Sequence, residues 1–158
     1  ATGQPDGAFD LVTFGSSFNV CDRPQALKES ARLLKTGGWF ACMWNHRDLA
    51  DPLQAALEGA IKARIPGYDY GTRREDQTAV IDLCGLFGRV ETMEGGVLHR
   101  QRVDDCLEAW RSHATLQRQA GAAFGAVISD LDAILRRQAG EEVVIPYTTR
   151  IWAAPKKG

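Results

Sequence analysis

The first third of the chain alternates between an apolar run and a helical spacing of apolar residues. The run from Phe9 to Phe14 follows a Pro-Asp-Gly turn, which predicts a strand covered on both faces, as in a parallel sheet. Helical spacing follows between Asp22, a predicted N-cap, and Gly37-Gly38, a predicted left-handed stop. A second apolar strand is predicted over residues 39–44.

Another helix is predicted to begin at Asp51-Pro52, with apolar residues on one face. Strand and helix therefore alternate twice. This order is typical of α/β proteins, in which a right-handed crossover helix joins neighbouring parallel strands. The polar residues Asn45, His46 and Arg47 are predicted to leave the second strand at its carboxyl end.

The second half has a different pattern, and its strands and helices are shorter. The predicted elements are a loop over 65–75, a helix over 77–84, strands over 90–93 and 97–103 around a Gly95-Gly96 turn, a helix with a capping box formed by Asp105 and Glu108, a helix through 124–135 that Gly140 ends, and a strand over 147–153. Pro146 is predicted to prevent that last strand from extending backwards. We expect one domain over residues 1–158.

Composition and charge exclude several classes of partner. The net charge is −1, so no general field favours nucleic acid or an anionic membrane surface. The pairs Arg73-Arg74, Arg136-Arg137 and Lys156-Lys157 are isolated and indicate solvated surface. No apolar run is long enough to span a membrane and no signal peptide is visible, so we expect a cytoplasmic protein.

The cysteines and histidines are dispersed along the chain. The four cysteines contain no C-x-x-C pair and lie in apolar or helical surroundings, which predicts buried free thiols. No spacing supports a metal site. The chain also lacks a nucleophile elbow, a P-loop and a His-Glu-x-x-His motif.

Two segments, PDGAFDLV and GSSFNVCDRPQALKESARLLKTGGWF, resemble the middle of class I S-adenosylmethionine-dependent methyltransferases of the small-molecule branch. EAWRSH and the final IPYTTRIWAA also resemble that branch. The resemblance implies a Rossmann-like sheet of order 3-2-1-4-5-7-6 with an antiparallel strand 7. Residues 9–14, 39–44, 90–103 and 147–153 match strands 4, 5, 6 and 7.

The counterparts of strands 1 to 3 are not found in the 158 residues. The resemblance places the glycine-rich cofactor loop after strand 1 and an acidic ribose-binding residue after strand 2. The chain therefore resembles a truncated methyltransferase whose intact form uses S-adenosylmethionine, and we expect these residues alone to bind no cofactor and to be inactive.

What remains resembles the second wall of a cofactor cleft, since ligands of open α/β sheets lie beyond the carboxyl ends of the strands. The expected cofactor-binding residues are Gly15, Ser16, Ser17, Phe18 and Asn19. Many relatives carry His-Trp after the Phe, whereas Asn19-Val20 stands here. The expected substrate side comprises Asn45, Arg47, Tyr68, Tyr70, Trp110 and Arg111, although aromatic residues at these spacings also suit a core.

Methyl transfer from a sulfonium is an in-line displacement that needs orientation and, for some acceptors, a base. His46 is the candidate catalytic base. The alternative is a strand-exit histidine that is hydrogen-bonded to backbone or water. The resemblance implies a small-molecule methyl acceptor, which the sequence does not identify.

Three hypotheses remain open at this point. The chain is a piece of a methyltransferase, a non-catalytic binding or assembly module, or a partner that complements a separate N-terminal half. In each case the strand over 9–14 becomes an unprotected edge. We expect self-association into a dimer, by antiparallel pairing of two such edges or by a larger swap, unless the helix over 122–138 covers the bare face.

Overall fold

The structure is a computed structural model that describes residues 2–158. The contacts of the chain divide it into two compact units. Unit 1 comprises Ala1–His46, Gly71–Gly95 and Thr149–Gly158, and unit 2 comprises Arg47–Tyr70 and Gly96–Thr148.

Four strands and six helices follow one another along these residues. The strands are β1 (Phe9–Gly15), β2 (Leu34–Arg47), β3 (Glu91–Arg102) and β4 (Glu142–Pro155). The helices are α1 (Arg23–Leu33), α2 (Pro52–Arg64), α3 (Thr78–Leu83), α4 (Val103–Arg111), α5 (Ala114–Ala120) and α6 (Phe124–Ala139), with short 3₁₀ turns at Phe18–Val20, Gly71–Arg74 and Gly121–Ala123.

The strands form one sheet of order β1-β2-β4-β3. β1 and β2 run parallel, with Leu11 beside Trp39 and Phe14 beside Cys42; the other pairs are antiparallel. This order is the predicted 4-5-7-6 arrangement with an antiparallel last strand, so the α/β fold class is confirmed.

Unit 1 has its own apolar core beside the sheet. Phe18, Leu27, Leu34 and Phe40 are fully buried in it. The ring of Phe18 lies 5.4 Å from that of Phe40 in an edge-on arrangement. The helix that supplies Leu27 begins as predicted, because the Asp22 carboxylate accepts a hydrogen bond from the Gln25 N–H at 3.1 Å.

Unit 2 has a second core, formed mainly by helices. Its fully buried residues include Ile61 of α2, Leu116 of α5, and Leu131 and Leu135 of α6. α6 packs against α2 and α4. The apolar spacing predicted over 124–135 and its end at Gly140, where φ is +72°, are both confirmed.

β1 is an edge strand and is not covered on both faces, contrary to the prediction for a parallel sheet. Its Phe9 is 38% exposed and its Leu11 55% exposed. The strand has a neighbour on one side only, since β1 lies at the end of the sheet order. The prediction of an unprotected edge agrees with this exposure.

Three predicted glycine and proline boundaries are wrong. α1 ends at Leu33 and β2 begins at Leu34, so Gly37-Gly38 lies inside a strand. β3 continues through Gly95-Gly96 because both glycines keep an extended backbone without positive φ. β4 includes Pro146, which lacks an N–H donor, and its carbonyl accepts a hydrogen bond from the Asp48 N–H at 2.9 Å.

Three further expectations differ from the structure. α4 begins at Val103, so Asp105 lies inside its first turn and forms no capping box. α5 was not predicted; His113 caps it by accepting a hydrogen bond at Nδ1 from the Leu116 N–H at 3.1 Å. All four cysteines are free, but Cys21 is exposed and Cys84 is half-buried, so only Cys42 and Cys106 are buried as predicted.

Candidate functional site

The loop after β1 has an unusual and well-anchored backbone. Ser16 adopts a φ of +52°, and it is the one non-glycine residue with positive φ within residues 2–158. Such a conformation costs about 1–2 kcal/mol and is often found at functional sites. The Ser16 N–H donates to the Met43 carbonyl of β2 at 2.9 Å. The loop is thus fixed at the carboxyl end of β1, beside the parallel strand β2.

The five predicted cofactor-binding residues have different surroundings. Gly15 faces open space, since a Cβ added there would meet no atom within 4 Å. Ser17 is half-buried. The Phe18 side chain is fully buried in the core of unit 1, so only its backbone is available to a ligand. Asn19 accepts a hydrogen bond at Oδ1 from the indole Nε1–H of Trp44 at 3.0 Å.

The carboxyl end of β2 in unit 1 carries Asn45 and His46. The Asn45 side chain is exposed and its Oδ1 accepts a hydrogen bond from the Thr149 hydroxyl of β4 at 2.7 Å. His46 is only 9% exposed. Neither of its ring nitrogens has a hydrogen-bond partner among the described residues, which is a costly arrangement for a buried polar group.

Burial is the main reason why the pKa of His46 falls from its ordinary value of 6.5 to about 4. The positive charges of Arg74, Arg73 and Arg150 lower this pKa further, while Glu94 opposes them. His46 is therefore neutral at pH 7. A neutral imidazole offers one donor and one acceptor, but this low pKa makes it a weak proton acceptor.

We call Arg73, Arg74 and Arg150 the arginine cluster. Arg73 donates to the Asn45 carbonyl at 3.5 Å, and Arg150 donates from Nε to the Glu94 carboxylate at 2.6 Å. Arg73 and Arg74 are half-buried, which corrects the expectation that their pair is solvated surface.

A buried amide holds the segment that carries two of these arginines. Gln77 is fully buried. Its Nε2 donates to the carbonyls of Thr72 and Glu75 at 3.0 and 2.8 Å, and its Oε1 accepts from Arg23 at 3.2 Å. The two bonds to carbonyls close the turn around Arg73 and Arg74, and the third joins it to Arg23 of α1.

The remaining predicted substrate residues lie in unit 2. The Arg47 guanidinium lies 4.4 Å from the centre of the Trp110 ring and donates to the Gln54 amide oxygen at 2.9 Å. The rings of Tyr68 and Tyr70 are 5.3 Å apart in an edge-on pair.

Within unit 2, Trp110 is 4% exposed and belongs to the core. Tyr70 donates a hydrogen bond to Glu58. Arg111 is an exposed residue that pairs with Glu108 at 3.3 Å. The structure therefore brings Arg47 and Trp110 into contact and leaves Arg111 in a surface ion pair.

Sequence reasoning did not find Arg150, Glu94 or the arginine cluster. The period-two pattern of β4, in which Arg150 and Trp152 share a face, is a signal that could have indicated them. Residues 2–158 contain no group of three or more His, Cys, Asp or Glu side chains that could hold a metal ion. None of the helices formed by these residues is long and apolar enough to cross a membrane.

Comparison with known proteins gives both a sequence match and structural matches. A family model described as a methyltransferase domain matches residues 1–42, the segment that contains β1, its loop and α1. None of the curated proteins matches the chain.

Solved structures match almost the whole chain at low sequence identity. A protein from Anaeromyxobacter dehalogenans that is assigned as a type II methyltransferase has a TM-score of 0.64 at 17% identity, over 99% of this chain and 67% of that one. The YcgJ protein of Bacillus subtilis has a TM-score of 0.51 at 16% identity, over 100% and 68% of the two chains. These likenesses establish the fold.

A phosphoethanolamine N-methyltransferase of Haemonchus contortus, solved with S-adenosylhomocysteine, is also similar, with a TM-score of 0.43 at 16% identity over 98% of this chain and 35% of that one. This score is too low to support an argument about function. The sequence of residues 1–42 is thus similar to a methyltransferase domain, and the chain has the fold of a solved structure that is assigned as a methyltransferase.

Proposed function

We propose that the chain contributes to S-adenosylmethionine-dependent methylation of a small molecule, with the loop after β1 on the cofactor side. The observation that carries this proposal is the Ser16 backbone at φ +52°, which follows the carboxyl end of β1 and whose N–H bonds to Met43 of β2. A strained, anchored loop at that edge is typical of a ligand site in an α/β sheet.

The residues of the loop fit part of such a cofactor. The open space beside Gly15 permits close approach of a ligand to the backbone. The cofactor supplies a methyl group on a positively charged sulfur. The residues of this chain bind and orient, and neutral His46 is available as a hydrogen-bond partner or weak base for the acceptor.

We infer that these 158 residues alone bind S-adenosylmethionine weakly and transfer no methyl group. The loop after β1 supplies only one side of the proposed site. The resemblance attributes the glycine-rich loop and the ribose-binding acid to strands that have no counterpart in this sequence. Without those groups, few of the cofactor's polar atoms find partners.

Titration of the ¹⁵N-labelled chain with S-adenosylmethionine tests both parts of this proposal. We expect amide shifts concentrated at residues 15–19, with a dissociation constant near or above millimolar. Gly15→Ala should reduce these shifts by filling the open space, whereas Gly59→Ala, at an equally open glycine of α2, should not. Shifts that exclude residues 15–19 would reject the site, and micromolar binding would reject the inferred weakness.

A second candidate function is a non-catalytic assembly module that self-associates or complements a separate N-terminal half. The exposure of Leu11 and Phe9 on the edge strand β1 favours it. We propose antiparallel pairing of two β1 edges across a two-fold axis. Light scattering after size exclusion should show a dimer that Leu11→Lys dissociates and Leu83→Lys, at an exposed leucine of α3, does not. A monomeric wild-type chain would refute this pairing.

A further inference from the structure

One face of the sheet in unit 1 collects polar side chains beside two tryptophans. Side chains alternate along a strand, so Trp44 and His46 of β2 share a face, as do Arg150 and Trp152 of β4. The Trp44 and Trp152 rings lie 5.9 Å apart, which places both pairs on the same face. His46 and Arg150 are therefore neighbours on one surface, as the effect of Arg150 on His46 also indicates.

A cavity of about 240 Å³ opens on this face. Its walls include Trp152, Met93, Arg150, Glu94 and Asp76. This volume lies just below the range of about 300–1,000 Å³ that is typical of drug-sized ligands. The cavity therefore suits a small molecule with an apolar body and one charged group.

The two carboxylates of the cavity already have partners. Glu94 accepts from Nε of Arg150 at 2.6 Å, and Asp76 accepts from the Trp152 indole at 3.1 Å and from the Thr78 N–H at 2.7 Å. The bond to Glu94 occupies only one of the five N–H donors of the Arg150 guanidinium. The bond is made by Nε, so the terminal N–H groups are not used by it, and Arg150 is exposed.

Positive charge exceeds negative charge around His46, whereas the cavity walls themselves carry Arg150, Glu94 and Asp76. The arginine cluster supplies three guanidinium groups, of which Arg73 is tied to the Asn45 carbonyl beside His46. Against them stand Glu94 and Asp76. His46 is nine-tenths buried and has no hydrogen-bond partner for either ring nitrogen. The exposed guanidinium of Arg150 in the cavity wall, with this positive charge behind it, is suited to an oxyanion.

We propose that this corner of unit 1 binds the carboxylate or phosphate group of a small organic molecule, with Arg150 as the main anion contact and the apolar body against Trp152 and Met93. The inference rests on the proposed function in one respect: it assigns the methyl acceptor to the class of small organic anions. Arg73 and Arg74 supply positive charge nearby, on the side of the buried His46.

Three small probes of similar shape test the proposal on the full chain: benzoate, phenyl phosphate and the neutral benzamide. Binding is followed by NMR through the side-chain N–H signals of Trp152 and Arg150 and through backbone amides. We expect benzoate or phenyl phosphate to shift these signals and to bind about tenfold or more tightly than benzamide, because a charged bidentate partner is stronger than a neutral one. The tighter of the two anions identifies the preferred group.

Two variants assign the effect to the proposed residues. Arg150→Gln should weaken anion binding about tenfold while leaving benzamide binding unchanged. Arg137→Gln, an exposed arginine of α6 in unit 2, is the matched control and should leave both unchanged. Because the Arg150–Glu94 pair is exposed, its loss should cost little stability, and an unchanged amide spectrum elsewhere confirms folding.

The proposal is overturned if benzamide binds as well as the anions, if Arg150→Gln leaves anion binding intact, or if the shifts lie outside this face. No cofactor is present in these titrations. If the anions do not bind, the test of S-adenosylmethionine binding at residues 15–19 is unaffected. If S-adenosylmethionine does not bind there, the test of anion binding is unaffected. Shifts at Trp152 and Arg150 that depend on the anion and on Arg150 would support the proposal.

Discussion

Replacement of Gln77 by Ala tests the most localised structural feature of the candidate site. The Gln77 amide is fully buried. It donates to the Thr72 and Glu75 carbonyls and accepts from Arg23. The variant removes both donors and the acceptor at once. We therefore expect a less stable chain in which the segment carrying Arg73 and Arg74 is loosened.

The magnitude follows from the groups that lose their partners. Each lost neutral hydrogen bond costs about 1 kcal/mol, and more when the group left behind is buried. Arg23 keeps its contact with Glu75 at 3.4 Å, so the loss of its hydrogen bond to Gln77 costs little stability. The sum is about 3 kcal/mol. For a chain of this length, about 2–4 °C per kcal/mol corresponds to a fall in Tm of about 6–12 °C.

Urea unfolding followed by tryptophan fluorescence measures this change in the free energy of unfolding. Gln77→Met keeps most of the side-chain volume and should lose nearly as much stability, which separates the hydrogen bonds from a cavity effect. Gln138→Ala, at an exposed position of α6, should change stability by less than about 0.5 kcal/mol. A Gln77→Ala variant as stable as that control would refute the reasoning.

Three further predictions concern single groups. The folded-state pKa of His46 is depressed from 6.5 to about 4. The contribution of neutral His46 to the free energy of unfolding is therefore present above pH 6.5 and is lost as the pH falls towards 4. After a discount for screening we expect about 1–2 kcal/mol, and His46→Gln should flatten that part of the stability–pH curve. Burial raises the pKa of Cys42 to about 12, so a maleimide at pH 8 should label exposed Cys21 roughly a hundredfold faster. Gly38→Ala should cost about 1–2 kcal/mol in urea unfolding, because its Cβ would lie 3.1 Å from two backbone carbonyl oxygens.

Local patterns predicted local structure well. Asp22 and Asp51 both cap helices through their side chains, as expected, because an N-cap depends on only three or four neighbouring residues. Gly95-Gly96 was predicted as a turn and lies in a strand instead. Glycine permits a turn without requiring one, and pairing of β3 with β4 decides its conformation.

The candidate site was only partly predictable for a related reason. The loop over 15–19 follows directly from the strand before it, and the resemblance pointed to it. The neighbourhood of His46 and Arg150 depends on how β2 and β4 pair, although more than a hundred residues separate them in the sequence. Arg73 and Arg74 looked like solvated surface because the role of Gln77 in closing their turn is visible only in the folded chain.

The charges around His46 link its basicity to the proposed ligand. Burial and the arginine cluster hold its pKa near 4, where it is a poor base at pH 7. A bound anion would oppose the arginines and raise this pKa, whereas a bound cation would lower it further. By reciprocity, an anion that raises the pKa must bind more tightly as His46 becomes protonated. NMR titration of His46 with and without benzoate measures the direction of this pKa shift. An unchanged or lower pKa would show that the histidine does not sense the anion site. An upward shift would mean that His46 becomes a more effective base only when an anionic acceptor is bound.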